Sequence, residues 1–295
     1  MQNIEKILKR IPLSDRPVAT PTWPKKQQPS RDPQEQAKQQ PPIVEEKSYR
    51  CSKCQDLEFV HLGDGLFTYC ECRKQRIIER RIKSSQIPLA FRGATFDNYQ
   101  VLPHNNTMLD FARSYAAQFE TLRQEKHNGL GFMAKIGESS INRVRDPERR
   151  STLKAKHNSY GLGKTHLLTA LAFHLLQKGV QVLMVNDADL VAELRQGQFA
   201  EDHQQFEKLI NTIEQVELLI WDDLGKAKTS EWVLNQYYRI INYRYRMGLP
   251  LCFSSNENLD SLSEKIGDAS ASRLFSMCQG RLLLCQGPDY RLVEA

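Results

Sequence analysis

The 295-residue chain has no apolar run close to the ~18–20 residues that cross a bilayer. Its longest notable apolar stretch, residues 167–176, is interrupted by His174. Residues 1–10 are of mixed charge and hold no secretory apolar core. These absences exclude a membrane-spanning helix and an export signal of the usual kind, and predict a cytoplasmic location with no membrane partner. An even cysteine set is also missing. Of seven cysteines, four cluster at 51, 54, 70 and 72, while Cys252, Cys278 and Cys285 lie in apolar sequence. That pattern predicts one metal site and three reduced thiols rather than disulfides. A strong charge of one sign is lacking as well. The 41 basic and 35 acidic residues leave +6, and residues 140–160, with six basic and two acidic side chains, carry +4 of it. No internal repeat is visible.

A chain of this length suits about two domains, and its composition shifts mark the boundaries. Ile4, Ile7, Leu8 and Ile11 share one helical face, so residues 1–12 suit a small docking helix. Residues 13–48 are rich in Pro, Gln and Lys and poor in apolar groups, which predicts a disordered linker. Residues 49–87 hold the cysteine module and a basic helix. From residue 88 to 295 apolar strands alternate with helices: strands near 129–136, 180–185, 217–221 and 249–254, helices near 164–178, 187–214 and 229–247. That alternation predicts an α/β domain with a parallel sheet flanked by helices.

The cysteines read Cys51-x2-Cys54-x15-Cys70-x-Cys72. Two close thiolate pairs across a hairpin-length spacer suit tetrahedral Zn²⁺, with Gly63-Asp64-Gly65 as the turn. Four sulfur ligands leave no open position for water, so the zinc is structural. Arg73, Lys74, Arg76, Arg80, Arg81 and Lys83 follow, opposed only by Glu79; such a run is either a solvated helix face or a contact for phosphates or an acidic partner.

Gly161-Leu162-Gly163-Lys164-Thr165 is the second half of a P-loop at the start of a helix. Glycines let backbone N–H groups converge on phosphate oxygens, and the helix N-terminus adds positive potential. Lys164 would reach the β- and γ-phosphates of ATP, and the Thr165 hydroxyl would bind Mg²⁺. The glycine required five residues before Gly163 is absent; the position holds Asn158. Gly137, after the first strand of the domain, stands where that glycine belongs once 21 residues are removed, so the P-loop is read as split by a 21-residue insertion at about 138–160. The insertion is polar and charged, and is expected as an extruded loop that strains nucleotide binding, because Gly137 and Gly161 must nearly meet across it. Residues 218–223, Leu-Leu-Ile-Trp-Asp-Asp, supply an apolar strand delivering carboxylates at its end. Asp222 would hold Mg²⁺ through water, and Asp223 would orient or deprotonate the attacking water.

With these elements the chain resembles, over about residues 50–292, the DnaC/DnaI-type replicative helicase loaders of bacteria and phages, which are AAA+ ATPases. The resemblance rests on the cysteine module, Phe96-Asp97-Asn98-Tyr99, Gly163-Lys164-Thr165-His166, Asp222-Asp223-Leu224-Gly225, Ser254-Ser255-Asn256 and Ser272-Arg273-Leu274. It implies an AAA+ P-loop NTPase core preceded by a small zinc-binding module. It implies Asn256 as the sensor polar residue near the γ-phosphate, and Arg273 as an arginine finger acting on a neighbouring subunit. Arg291 falls near a second sensor position in a motif too loose to carry over. By the same resemblance the partners are a hexameric DnaB-type helicase, met through the zinc module and N-terminal segment, single-stranded DNA, and further copies of the chain during loading. In α/β sequence of this kind Tyr237, Tyr238, Arg239, Tyr243, Arg244, Tyr245 and Arg246 interleave aromatic and basic groups suited either to single-stranded DNA or to helix packing. Two alternatives stay open: an ATP-binding helper of a transposase, and a non-hydrolysing helicase-interaction protein with a P-loop disabled by the insertion.

Overall fold

The computed structural model describes residues 49–63, 65–198 and 203–289. The expected docking helix, the linker, Asp64 of the hairpin turn and Arg291 lie outside them. The chain divides into two compact units, Met1–Arg73 and Lys74–Ala295.

In the first unit β1 (Phe59–Gly63) pairs antiparallel with β2 (Leu66–Tyr69), Phe59 opposite Tyr69 and His61 opposite Phe67. The hairpin expected between the cysteine pairs is present. Helix α1 (Cys72–Ser84) begins at the last cysteine. The sequence places the unit boundary at 87/88, but it falls earlier. Ile82 and Ile87 pack into the core of the larger unit, and the Ser85 carbonyl accepts from Met184 N at 2.8 Å.

The second unit holds five strands in the order β4-β5-β6-β3-β7, all parallel. They are β3 (Leu130–Ala134), β4 (Val182–Asn186), β5 (Leu218–Asp222), β6 (Leu251–Ser254) and β7 (Leu282–Cys285). Every residue of β3, β5 and β6 is buried, as a sheet covered on both faces requires. Alternation sorts them: Phe132, Ile220 and Cys252 meet α2 (Asn106–Leu122) and α5 (Lys164–Gln177) on one face. Met133, Trp221 and Phe253 meet α6 (Asp187–Gln198), α7 (His203–Gln215), α8 (Glu231–Met247), α9 (Leu259–Ile266) and α10 (Asp268–Met277) on the other. The α/β architecture of the sequence reading is what the structure has. None of its helices is long and apolar enough to cross a membrane, among the described residues.

The insertion differs from the expected loop. It folds into α3 (Glu138–Asn142) and α4 (Pro147–Lys156). The reason is local: Asp146 accepts from Glu148 N and Arg149 N, and Pro147 opens the helix, a strong start signal even without apolar periodicity. The aromatic and basic run of α8 is structural in part, with Tyr238 and Arg246 exposed. Tyr237 and Arg244 are fully buried, and Arg239 is paired with Glu207 and Glu214.

Candidate functional site

In the first unit the four sulfurs of Cys51, Cys54, Cys70 and Cys72 lie within 4.8 Å of one another. Cys51 and Cys70 are 3.8 Å apart, Cys54 and Cys72 3.4 Å. Four thiolates ~2.3 Å from a central Zn²⁺ stand about 3.8 Å apart, so the cluster is compatible with zinc. Cys252, Cys278 and Cys285 are buried, unpaired thiols of the second unit, and burial pushes Cys252 up to about 12.

The C-terminal edge of the parallel sheet carries the second site. Its floor is the loop from His157 to Gly163 and the first turn of α5. Gly161 and Gly163 have φ of +61° and +82°, conformations that turn backbone N–H groups toward one another and that other residues adopt at a cost. Lys164 is 6 % exposed, and its Nζ donates to Ser159 O at 2.7 Å and to Asn256 Oδ1 at 2.6 Å. Asn256, just past β6, donates from Nδ2 to Asp223 Oδ1 at 3.1 Å. The Thr165 hydroxyl donates to Asp222, its oxygen 3.0 Å from Oδ2, and Ser254 Oγ donates to Asp222 Oδ1 at 2.6 Å. Burial, then the charge of Asp223 beside it, push the Asp222 carboxyl above the usual aspartate range, against the bonds from Ser254 and Thr165. Asp223 has φ of +55°, and its N–H is held by Ser254 Oγ at 3.0 Å. Backbone strain of this kind concentrates at functional sites. Five of the residues singled out in the sequence therefore converge: Lys164, Thr165, Asp222, Asp223 and Asn256.

Two do not. Gly137 has extended backbone, and a side chain there would meet Ser261, Asn258 and Glu257. Arg273 lies on α10, bonded through Nη1 to Ala269 O and stacked over Tyr238 at 5.2 Å.

The loop itself starts at Asn158. Its Nδ2 donates to Tyr160 O and its Oδ1 accepts from Tyr160 N, a local turn built by one side chain. Tyr99 and His166 belong to segments that carry the resemblance, but the sequence tied neither of them, nor Gly287 and Asp289, to the shape of this loop. Tyr99 Oη donates to Leu162 O at 2.8 Å, and its ring fills the space beside Gly163. His166 reaches Thr95 O. Asn158 O accepts from Gly287 N, and Asp289 stands against Gly161.

Residues 157–283 match the family of IstB-like ATP binding proteins. The matched region opens one residue before Asn158, so most of the insertion lies outside it. The chain is 26% identical over 256 residues to the phage-like element PBSX protein XkdC of Bacillus subtilis (strain 168), covering 83% of this chain and 85% of XkdC. It is 27% identical over 117 residues to the replicative helicase loader DnaC of Escherichia coli (strain K12), covering 39% of this chain and 46% of DnaC, about half that protein's length. A crystal structure of the DnaC helicase loader superposes with a TM-score of 0.50 at 21% identity, over 67% of this chain and 98% of that one. It shows the shared α/β fold. The resemblance to the DnaC/DnaI group is borne out, and with it a kinship to ATP-binding proteins that serve DNA replication and transposition.

Proposed function

We propose that the chain is an ATP-switched helicase loader that engages a hexameric DnaB-type helicase and single-stranded DNA. The observation that carries this is the convergence of Lys164, Thr165, Asp222, Asp223 and Asn256 at one sheet edge, beside a loop with two glycines at positive φ. Lys164 exchanges its bond to Ser159 O for the phosphates of ATP. Thr165 Oγ and the Asp222 carboxylate have the oxygen donors a hard cation takes. These two groups would hold Mg²⁺, which would supply neutralisation of charge on the phosphates. Asp223, aimed by Asn256 Nδ2, orients the attacking water and accepts its proton at the carboxylate. Arg273 acts on the nucleotide of a neighbouring copy. The nucleotide state then biases two conformations of differing partner affinity. Because Asn158 builds the start of the loop locally, the insertion leaves nucleotide binding intact.

The zinc module is read as the helicase contact. Phe59, Leu62, Leu66, Phe67 and Tyr69 of its hairpin are all exposed, an apolar surface of the kind partners cover. The transposase-helper reading draws on the IstB-like match, and the cysteine module, which the resemblance ties to loaders, weighs against it.

The experiment is affinity for a fluorescent ATP analogue with Mg²⁺, for the full chain and Lys164→Ala. Next comes co-migration of the chain with a purified DnaB-type hexamer in gel filtration. Binding lost with Lys164→Ala, together with a helicase complex, supports the reading; an ATP affinity indifferent to Lys164 overturns it.

A further inference from the structure

Helix α4 is an element whose presence the rest of the domain does not explain. It has ten residues and buries none of them, yet isolated helices shorter than ~12–15 residues are marginal in water. Its side chains are not used for internal pairing. Arg143, just before it, is committed to Glu264, whereas Arg145, Arg149, Arg150, Lys154 and Lys156 form no ion pair among the described residues. All but the half-buried Arg150 are exposed. Asp146, which caps backbone N–H groups, and Glu148 offset only part of this charge and leave the five cations a net +3. The helix ends at Lys156, two residues from Asn158, where the phosphate loop starts. His157 is tied to Gln286 and Asn158 to Gly287, so a load on α4 reaches that loop through one residue.

We propose that α4 and its flanking arginine are a binding surface for the phosphate backbone of single-stranded DNA, placed directly upstream of the nucleotide loop. The inference rests on the DNA partner of the proposed function and assigns it a surface. Charge complementarity selects the occupant: four unpaired cations on a polar helix without an apolar stripe, and a fifth just before it, match a polyanion and offer no groove to a peptide. Cations that neutralise phosphates release condensed counterions, so binding weakens steeply with salt.

The test is fluorescence anisotropy of a labelled oligo(dT) on the full chain over a range of salt. It compares the unaltered protein with Arg149→Gln/Lys154→Gln/Lys156→Gln and with Lys126→Gln/Lys178→Gln/Lys228→Gln, which removes the same charge elsewhere on the domain. Thermal melts confirm that both variants fold. The α4 variant is expected to bind about tenfold or more weakly, with the slope of log affinity against log salt shallower by about 2, at ~0.7 per lost contact; the matched variant changes little. Equal losses in both variants, or no loss in the α4 variant, overturn the proposal and leave the DNA partner to another surface. Absence of any oligo(dT) binding by the unaltered chain overturns both this surface and the DNA partner of the proposed function, while its ATP arm stands on Lys164.

Discussion

Arg244→Met separates a structural from a DNA-contacting α8. The guanidinium is fully buried, with no carboxylate opposite it among the described residues. Nη1 lies 2.9, 3.1 and 3.0 Å from the carbonyls of Ile213, Glu214 and Val216, and Nη2 lies 2.5 Å from Pro250 O. Nη1 has two protons, so its three contacts amount to two effective bonds, and the Nη2 bond makes three. They tie the turn between α7 and β5 to the start of β6. At roughly 1.5 kcal/mol net for each bond to a charged donor, the low end of the usual range, the variant should lose about 4–5 kcal/mol. Methionine fills most of the volume, so the loss is not a cavity effect. Arg244→Lys, a point ammonium without the planar fork, should recover less than half. Urea denaturation followed by tryptophan fluorescence measures the difference in midpoint at constant slope. Oligo(dT) affinity in native buffer should not move. A stability loss under about 1 kcal/mol, or a fall in DNA affinity in a fully folded variant, would refute the assignment of Arg244 to the core.

Three further outcomes are expected. Thiol-modifying reagent should release one zinc per chain, read with a chromogenic chelator, and Cys70→Ser should lower that stoichiometry while leaving ATP affinity unchanged. Gly163→Ala should abolish binding of the ATP analogue and cost about 1–3 kcal/mol, because a methyl at φ +82° is strained and meets the Tyr99 ring. For Glu257 burial works to raise the pKa, but Lys265, Ser139 and Ser261 outweigh it and hold the carboxyl below the usual range. A depressed carboxylate stabilises the fold above its unfolded value, and that contribution disappears as pH falls through the folded one. Stability should therefore drop below about pH 4.5, and the drop should be smaller in Glu257→Gln, measured by thermal melts across pH 3–7.

The sheet was legible because its strands are short, continuous apolar runs ending in turn residues. β7 was not singled out: Leu282–Cys285 is four residues at the sheet edge with Leu284 exposed, too brief to stand out from a loop. Helix α8 was ambiguous as an aromatic and basic run, yet Val233, Tyr237, Ile240, Ile241 and Arg244 repeat at helical spacing, and all are buried. The insertion helices gave no apolar signal because they bury almost nothing. At the site, Gly-Lys-Thr and Asp-Asp could be read from strand-to-turn transitions. The start of the loop could not, since the spacing rule asks for a glycine and an asparagine side chain supplies the turn instead. Asp187 was equally silent. Its buried carboxylate accepts from Trp221, Tyr237 and Ala227 and gathers three elements, but a lone aspartate at a helix start resembles any cap.

The shape of the phosphate loop is inherited from what surrounds it rather than from the strand that feeds it. Asn158 folds its first turn, Tyr99 braces its crest, and Gly287 anchors its side. The covalent path from β3 is pinned at α3 by Ser139 on Glu257 and Arg143 on Glu264, and between α3 and α4 it does not shape the loop. A polypeptide cut on the exposed stretch between α3 and α4 should keep both fragments together and the nucleotide site assembled, so the protein could be run as two complementing halves.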